Sequence, residues 1–288
     1  MAESLLALKN RIQTVQSIKK ITKAMKLIAS SRYTKLKSLY DGNLAYTNAL
    51  KDAMKLCLTY VNYDSYKLPT CMQSYPGNKK LYIFITPTLG LCGSYYYNLE
   101  KLASKIITKD DDVVFIGERG YKHFKNLVHH AYSDYINLLD NLTFDYVNSF
   151  RHYLDAIYKK EKYNSISVIY TKFLSSMSTQ TVCENLFPLK AEKLDNNEKT
   201  VEPIFEGNPQ GVADLIVPHY LDALLYHLML ESSISEQTCR KNSMENATSS
   251  ADKLIYDLKL LYNHVRQEKI TNEITEIISG SGDSLNFI

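Results

Sequence analysis

The sequence predicts an α/β protein in which the N- and C-terminal helices form a long antiparallel coiled coil beside a Rossmann-like α/β domain with a largely parallel sheet. Two observations lead to this prediction. Both ends of the chain carry apolar residues at helical spacing over long stretches without glycine. The middle instead alternates short apolar, β-branched and aromatic runs with helical segments, a pattern typical of a parallel sheet covered by helices.

The first stretch of the chain is predicted to form one helix over residues 4–57. Apolar residues recur there every three or four positions, and Asp41-Gly42 is the candidate interruption. The stretch is basic: residues 1–40 hold nine Lys and Arg against one acidic residue, while the whole chain has a net charge of +3. We expect an acidic protein partner rather than nucleic acid, because no aromatic residue among the first 32 could stack on bases.

Three short runs in the middle of the chain have the composition of buried strands. They are KKLYIFITPT, DDDVVFIGERG and YNSISVIYTKF, each bounded by Pro, Gly, Asp or Asn. Helical segments are expected at residues 94–108, 119–130 and 149–161. The predicted organisation is an N-terminal coiled-coil helix over 1–58, an α/β domain over 59–211, and a C-terminal coiled-coil helix and tip over 212–288.

The last helix carries a heptad repeat of apolar residues, which is typical of a helix packed on a partner helix. The chain's own first helix is the predicted partner, and because the termini of a compact domain often lie close together, the two should run antiparallel. Beyond Val265 the repeat loses phase, so Ile270, Ile274, Ile277 and Ile278 should extend past the pair as a tip that needs another apolar surface. The predicted seam residues are Ile12, Val15, Ile21 and Ile28 of the first helix and Leu254, Leu258, Leu261 and Val265 of the last.

Several classes of protein and site are disfavoured. No run of eighteen uncharged apolar residues is present, so we expect no membrane span, and five scattered cysteines suggest neither disulfides nor a zinc site. KDDDV and His129-His130 have no further spaced ligands, so no metal is expected. There is no GxxxxGKS or GxxxxGKT phosphate loop, so neither a nucleotide cofactor nor a catalytic residue is predicted. Cys92 in GLCG has no flanking histidine and is interpreted as part of a turn.

Four segments resemble the gamma subunit of F-type ATP synthases, in family order and at family spacing. They are RIQTVQSIKKITKAMKLIASSR at 11–32, GLCG at 90–93, IGERG at 116–120 and LYNHVRQEKITNEITEIISG at 261–280. The likeness covers nearly the whole chain and is most specific at its two ends. It implies a central rotor shaft, not itself an enzyme, that turns inside a ring of three alpha and three beta subunits and couples rotation to ATP synthesis or hydrolysis.

The resemblance also implies partners and contact residues. The partners are the alpha and beta subunits, the epsilon subunit and the membrane rotor ring, in a peripheral complex at the inner face of a bacterial cell membrane. Arg266 and Gln267 match a family pair that is thought to bind a loop of the open beta subunit, and Met25 lies where the shaft faces beta. The expected rotor–stator contacts are Lys23, Met25, Lys26, Arg240, Arg266, Gln267, Thr271 and Glu273.

The chain departs from the family before GLCG, where Thr88 and Leu89 replace an acidic and a basic residue. One alternative is therefore the shaft of a related ATPase motor that drives a partner other than a proton-conducting ring, such as a motility machine. Another is a coiled-coil adaptor without motor function. The sequence leaves open the direction of the ATP reaction and the partner of the α/β domain. The 23 tyrosines, with abundant Lys, Asn and Ile, suggest an AT-rich genome.

Overall fold

The computed structural model describes residues 4–61, 69–189, 205 and 208–283 of the 288-residue chain, with side chains described as far as Ile278. Two compact units are present, one formed by the residues up to Ala29 with those from Lys241 onward, the other by Ser30–Arg240. Two long helices contribute to both units, α1 (Leu5–Tyr60) and α5 (Pro209–Asp283).

Helix α1 continues through Asp41 and Gly42, contrary to the interruption considered from the sequence. An ion pair of Lys37 with Asp41 joins successive turns at this point. No atom outside the local helix backbone lies within 4 Å of the position that a Cβ on Gly42 would take. The glycine therefore sits on an open helix surface, and its cost to the helix is only the intrinsic one of about 1 kcal/mol.

The Ser30–Arg240 unit contains a five-stranded sheet with spatial order β3-β2-β1-β4-β5. The strands are β1 (Lys80–Ile85), β2 (Asp112–Ile116), β3 (His130–Tyr132), β4 (Ser165–Phe173) and β5 (Thr179–Phe187). Strands β1 to β4 pair in parallel, and β5 forms an antiparallel hairpin with β4. The prediction of a largely parallel sheet is confirmed. Strands β3 and β5 were not predicted, because β3 has three residues and β5 carries exposed polar side chains at the sheet edge.

Helices cover both faces of this sheet. They are α2 (Tyr95–Ile106), α3 (Glu118–Phe124) and α4 (Phe144–Glu161) together with the parts of α1 and α5 that belong to the unit. Side chains of β1 alternate between the faces, as strand geometry requires. Leu81, Ile83 and Ile85 pack in a core with α1, α4 and α5, whereas Tyr82 and Phe84 pack in a core with α2 and α3.

A buried carboxylate joins the starts of β1 and β2. Asp112 is 1% exposed and accepts a hydrogen bond from the Tyr163 hydroxyl at 2.5 Å, while His129 Nδ1 lies 2.7 Å away. Lys79 Nζ lies 3.4 Å from the same carboxylate and 2.8 Å from Glu161. Burial raises the pKa of Asp112, but the hydrogen bonds from Tyr163 and His129 and the charge of Lys79 outweigh it, so the net pKa is lowered.

Replacement of Asp112 by Asn should lower the free energy of unfolding of the chain by about 3 kcal/mol, because a neutral amide with one acceptor oxygen replaces a buried carboxylate that interacts with Tyr163, His129 and Lys79. The lowered pKa means that this stabilisation is complete above the unfolded pKa of 3.8 and is lost as the pH falls below it. Urea unfolding followed by near-ultraviolet circular dichroism should therefore show the two proteins converging at acid pH. The control variant Glu161→Gln, at a more solvent-exposed position, should change stability far less. Equal effects of the two variants would contradict this account.

Candidate functional site

The candidate site begins with the helix pair of the unit that combines the residues up to Ala29 with those from Lys241. Ion pairs join Lys19 to Asp252 and, at 2.6 Å, Lys26 to Glu245. Residue numbers rise along α1 as they fall along α5, so the pair is antiparallel. Its apolar cluster consists of Leu8, Ile12 and Val15 from α1 with Ala251, Ile255, Leu258, Tyr262 and Val265 from α5.

The seam changes from apolar to polar partway along the pair. The hydroxyls of Thr22 and Thr248 lie 2.9 Å apart, and each is also within hydrogen-bond distance of a carbonyl of its own helix. Lys19 and Lys26 flank Thr22 at positions that continue the spacing of Leu8, Ile12 and Val15. We call Thr22, Thr248 and the two ion pairs the polar layer.

The structure corrects the predicted seam at four positions. Ile12, Val15, Leu258 and Val265 lie in the cluster described above. Ile21, Ile28, Leu254 and Leu261 have exposed side chains. Each of these four precedes a seam residue by one position, and those seam residues are Thr22, Ala29, Ile255 and Tyr262. At Thr22 the prediction followed the apolar neighbour of a polar seam residue.

The predicted contact residues of this unit differ in exposure and fall into three groups. Lys26 is engaged within the helix pair by Glu245, and Lys26 lowers the pKa of that carboxyl. Met25 is half-buried. The remaining predicted contacts in the unit have exposed side chains and could reach a partner: Lys23, Arg266, Gln267, Thr271 and Glu273.

The end of α5 is an exposed helix. Ile270, Ile274, Ile277 and Ile278 all have exposed side chains. Lys269 lies 3.7 Å from Glu273 on the same surface, one turn away. Large apolar side chains in such a position favour coverage by another molecule.

Arg240, predicted as a contact with another subunit, instead has an internal role in the Ser30–Arg240 unit. Its guanidinium lies 2.7 Å from Glu236 and donates to the carbonyls of Leu89 and Gly90 at 3.3 and 3.2 Å. Burial raises the pKa of Glu236, and the charge of Arg240 opposes this shift. Arg240 thus fastens α5 to the loop after β1, which displays Leu89 and Leu91 to solvent.

Close contacts within the chain join the segments that follow β1 and β2, near the edge of the sheet where comparable folds bind ligands. Such sites lie at the carboxyl ends of strands where the strand order reverses, here beside β1 and β4. The Thr86 hydroxyl lies 3.0 Å from the Gly117 carbonyl, and a Cβ on Gly117 would lie 1.9 Å from the Thr86 carbonyl oxygen. Next to them, at the start of α2, the buried Tyr95 hydroxyl lies 2.8 Å from Ser232 Oγ of α5.

The other candidate chemical groups are structural. Cys92 is buried, and burial raises the pKa of its thiol, which disfavours the reactive thiolate. Among residues 4–61, 69–189, 205 and 208–283 there is no group of three His, Cys, Asp or Glu side chains placed to hold a metal ion. Over the same residues, no helix is long and apolar enough to cross a membrane.

Comparisons with known proteins agree with this architecture. The family model described as "ATP synthase" matches residues 4–282. The chain is 38% identical to the "ATP synthase gamma chain" of Ureaplasma urealyticum serovar 10, over 97% of this chain and 100% of that protein. The chain belongs to the ATP synthase gamma-chain family.

Two further comparisons give one more relative and one protein of the same fold. The "ATP synthase gamma chain, sodium ion specific" of Acetobacterium woodii is 32% identical over 99% of this chain and 100% of that protein. A chain of the Euglena gracilis mitochondrial ATP synthase in the structure of its OSCP, F1 and c-ring has the same fold, with a TM-score of 0.65 and 13% identity, covering 96% of this chain and 93% of that chain. The fold of this chain therefore also occurs at 13% sequence identity.

The seam described here predicts a sharp difference between two neighbouring leucines. Leu258 is 4% exposed and Leu261 is 45% exposed. Leu258→Asp should destabilise the helix pair by about 3–5 kcal/mol, because it buries an unpaired charge, whereas Leu261→Asp should have little effect. Hydrogen exchange of residues 5–26 and 244–265 measures the effect locally. Comparable acceleration in both variants would contradict the observed seam.

Proposed function

We propose that this chain is the central rotor shaft, the gamma subunit, of a bacterial F-type ATP synthase. In this role it couples rotation inside an alpha3-beta3 ring to ATP synthesis or hydrolysis. The observation that carries the proposal is its 38% identity over 97% of its length to an ATP synthase gamma chain. Helix α5 supports it: α5 is one helix of 75 residues, and in the unit that contains Lys241 its pairing with α1 stiffens it against bending.

We infer that the chain is not itself a catalyst. Supporting this, the sequence has no GxxxxGKS or GxxxxGKT phosphate loop. The segments that follow β1 and β2 also contact each other closely through Thr86 and Gly117. The catalytic chemistry is then supplied by the alpha and beta subunits. The direction of that chemistry depends on the ion gradient and on regulatory partners.

The exposed members of the predicted contact set are proposed to meet the ring. Arg266 and Gln267 can donate to a beta-subunit loop, and Thr271 and Glu273 extend the same exposed helix. Lys23 and Met25, which lie on α1, are proposed to make contacts with the ring from that helix. Lys26 and Arg240 contribute indirectly, since Lys26 holds the polar layer and Arg240 holds the loop after β1.

We propose that the chain has three parts: a coiled-coil helix over 1–58, an α/β domain over 59–211, and a coiled-coil helix and tip over 212–288. The α/β domain is the proposed site for the epsilon subunit and the membrane rotor ring. The complex would be peripheral at the inner face of the cell membrane. No observation favours a motor with another output or an adaptor without motor function.

Reconstitution with the alpha and beta subunits of the same organism tests the proposal. The chain should co-elute with them in a stable complex whose ATP hydrolysis depends on its presence. Titration calorimetry of the chain alone should detect no stoichiometric ATP binding. Failure to co-elute, or tight ATP binding by the isolated chain, would contradict the proposal.

The double variant Arg266→Ala with Gln267→Ala should slow ATP turnover of the assembled complex by about tenfold or more, because charge-assisted hydrogen bonds contribute about 1.5–3 kcal/mol each. Assembly should persist, since the seam is untouched. Lys259→Ala with Asn263→Ala, exposed on the same helix, is the matched control. Turnover of the first variant equal to that of the control would remove Arg266 and Gln267 from the contact.

A further inference from the structure

The amino ends of the three central strands, β2, β1 and β4, meet at one edge of the sheet. Lys80 pairs with Ser165 at the starts of β1 and β4, and Leu81 pairs with Asp112 at the start of β2. Helices α2 and α4 end shortly before β2 and β4, so their last turns reach the same edge. Lysines with exposed side chains occupy these strand starts and helix ends: Lys80, Lys105, Lys109, Lys159, Lys160 and Lys162. We call this set the basic edge.

Neighbouring acidic side chains do not neutralise the basic edge. The aspartates at 111–112 are buried, at 7% and 1% exposure. Glu161 lies 2.8 Å from Lys79, which is outside the set, and 4.0 Å from Lys160. Asp110 is the remaining acid of these segments, all of which the structure describes, and its side chain is exposed. The basic edge therefore has a large excess of positive charge.

The opposite edge of the sheet has almost no charge. Residues 86–94 after β1 and residues 174–178 after β4 contain no charged side chain. Residues 117–119 after β2 contain one glutamate and one arginine. The lysines are therefore concentrated at one edge of the sheet rather than spread evenly around it.

Helix ends account for only part of the basic edge. Lys105, Lys159 and Lys160 lie in the last turns of α2 and α4, where a cation interacts favourably with the helix dipole. Lys162 is different, because its φ of 52° lies in the left-handed region. Glycine or asparagine is the usual residue at such a helix end, and a lysine there is strained. A lysine that costs the fold stability indicates a role in binding.

The chemistry of the basic edge fits a surface of diffuse negative charge. All six side chains are lysines, whose ammonium groups are point charges without the planar fork with which arginine binds a single phosphate or carboxylate. The aromatic side chain of these segments, Tyr163, is buried and cannot stack on a nucleic-acid base. Clusters of about four to eight basic side chains beside a bilayer are typical of proteins that bind anionic phospholipids.

We propose that the basic edge contacts the anionic phospholipid headgroups of the membrane to which the complex is bound. This inference rests on the proposed function, which places the α/β domain on the membrane side of the complex. The attraction acts across about 8 Å at physiological salt and needs no insertion of side chains into the bilayer. Because no single lipid is held, the contact can persist while the shaft turns.

Co-sedimentation of the full chain with vesicles tests this inference. The vesicles consist of phosphatidylcholine alone or mixed with an equal part of phosphatidylglycerol. The triple variant Lys109→Gln, Lys160→Gln and Lys162→Gln should bind the anionic vesicles about 100-fold more weakly than wild type, because each lysine near such a surface contributes about fivefold. Binding should also fall as salt is added.

A matched triple variant controls for net charge. Lys20→Gln, Lys35→Gln and Lys253→Gln remove three exposed lysines of α1 and α5 that lie outside the basic edge. Binding of this variant to anionic vesicles should stay within about threefold of wild type. Equal losses in the two triple variants would show that net charge alone drives binding and would overturn the inference.

The variant Lys162→Gly separates binding from folding. Glycine adopts a φ near 52° without strain, so the urea midpoint of unfolding should rise. Binding to anionic vesicles should nevertheless weaken about fivefold. Unchanged vesicle binding would remove Lys162 from the contact and contradict the interpretation of its strained position.

Photo-crosslinking identifies what the basic edge contacts. A photoreactive residue at position 109 should link to phosphatidylglycerol in the mixed vesicles, and one at position 88, on the opposite edge, should not. Equal binding to phosphatidylcholine vesicles, or tighter binding to duplex DNA than to anionic vesicles, would overturn the inference. These measurements use the chain alone, so they are independent of ring assembly. Failure to co-elute with the alpha and beta subunits would instead overturn the proposed function.

Discussion

The alignment of α1 with α5 depends on the polar layer of Thr22, Thr248 and their flanking ion pairs. Apolar side chains such as Leu8 and Leu258 tolerate several alignments, because their contacts are not directional. The charges do not. Sliding α5 by one heptad in one direction would place Lys19 beside Lys259 and separate it from Asp252. The ion pairs thus select one register, although each exposed pair contributes little free energy by itself.

The same layer explains why isoleucines of α1 lie outside the seam. A seam that passes through Lys19, Thr22 and Lys26 leaves the neighbouring Ile18, Ile21 and Ile28 outside it. These residues would be surplus in a free coiled coil, since exposed isoleucine gains nothing from folding and favours association. They become useful when other subunits surround the pair. Stability and recognition are therefore served by adjacent positions of the same heptads.

In the Ser30–Arg240 unit, buried charges fix the loops. Arg240 holds the backbone of Leu89 and Gly90, and Glu236 in turn holds Arg240. The loop therefore holds Leu89 and Leu91 in solvent on a fixed backbone. Leu89 is a position at which the sequence departs from the family, and Leu91 belongs to the GLCG segment that resembles it. Asp112 has a comparable role at the opposite ends of β1 and β2.

The fold class could be predicted from the sequence because it depends on averages over long segments. The helical periodicity of α1 and α5 and the apolar runs of β1, β2 and β4 each include several residues. A single irregular position therefore does not obscure them. The seam could not be placed from apolar residues alone, since near Thr22 the nearest apolar residue lies one position away. A usable signal was present: Lys19 and Lys26 are seven residues apart, as are Glu245 and Asp252. The internal role of Arg240 required the fold, because its partners lie about 150 residues away.

Thr22 faces Thr248 across the seam, and the register of the helix pair depends on this contact. Cysteine cross-linking measures this directly, because a disulfide requires Cβ atoms about 3.5–4.5 Å apart. The pair Thr22→Cys with Thr248→Cys should form a disulfide under mild oxidation, detected as a linked peptide by mass spectrometry. The pair Ile21→Cys with Ala247→Cys, at the positions that immediately precede Thr22 and Thr248, should link much more slowly. Preferential linkage of the second pair would contradict the account.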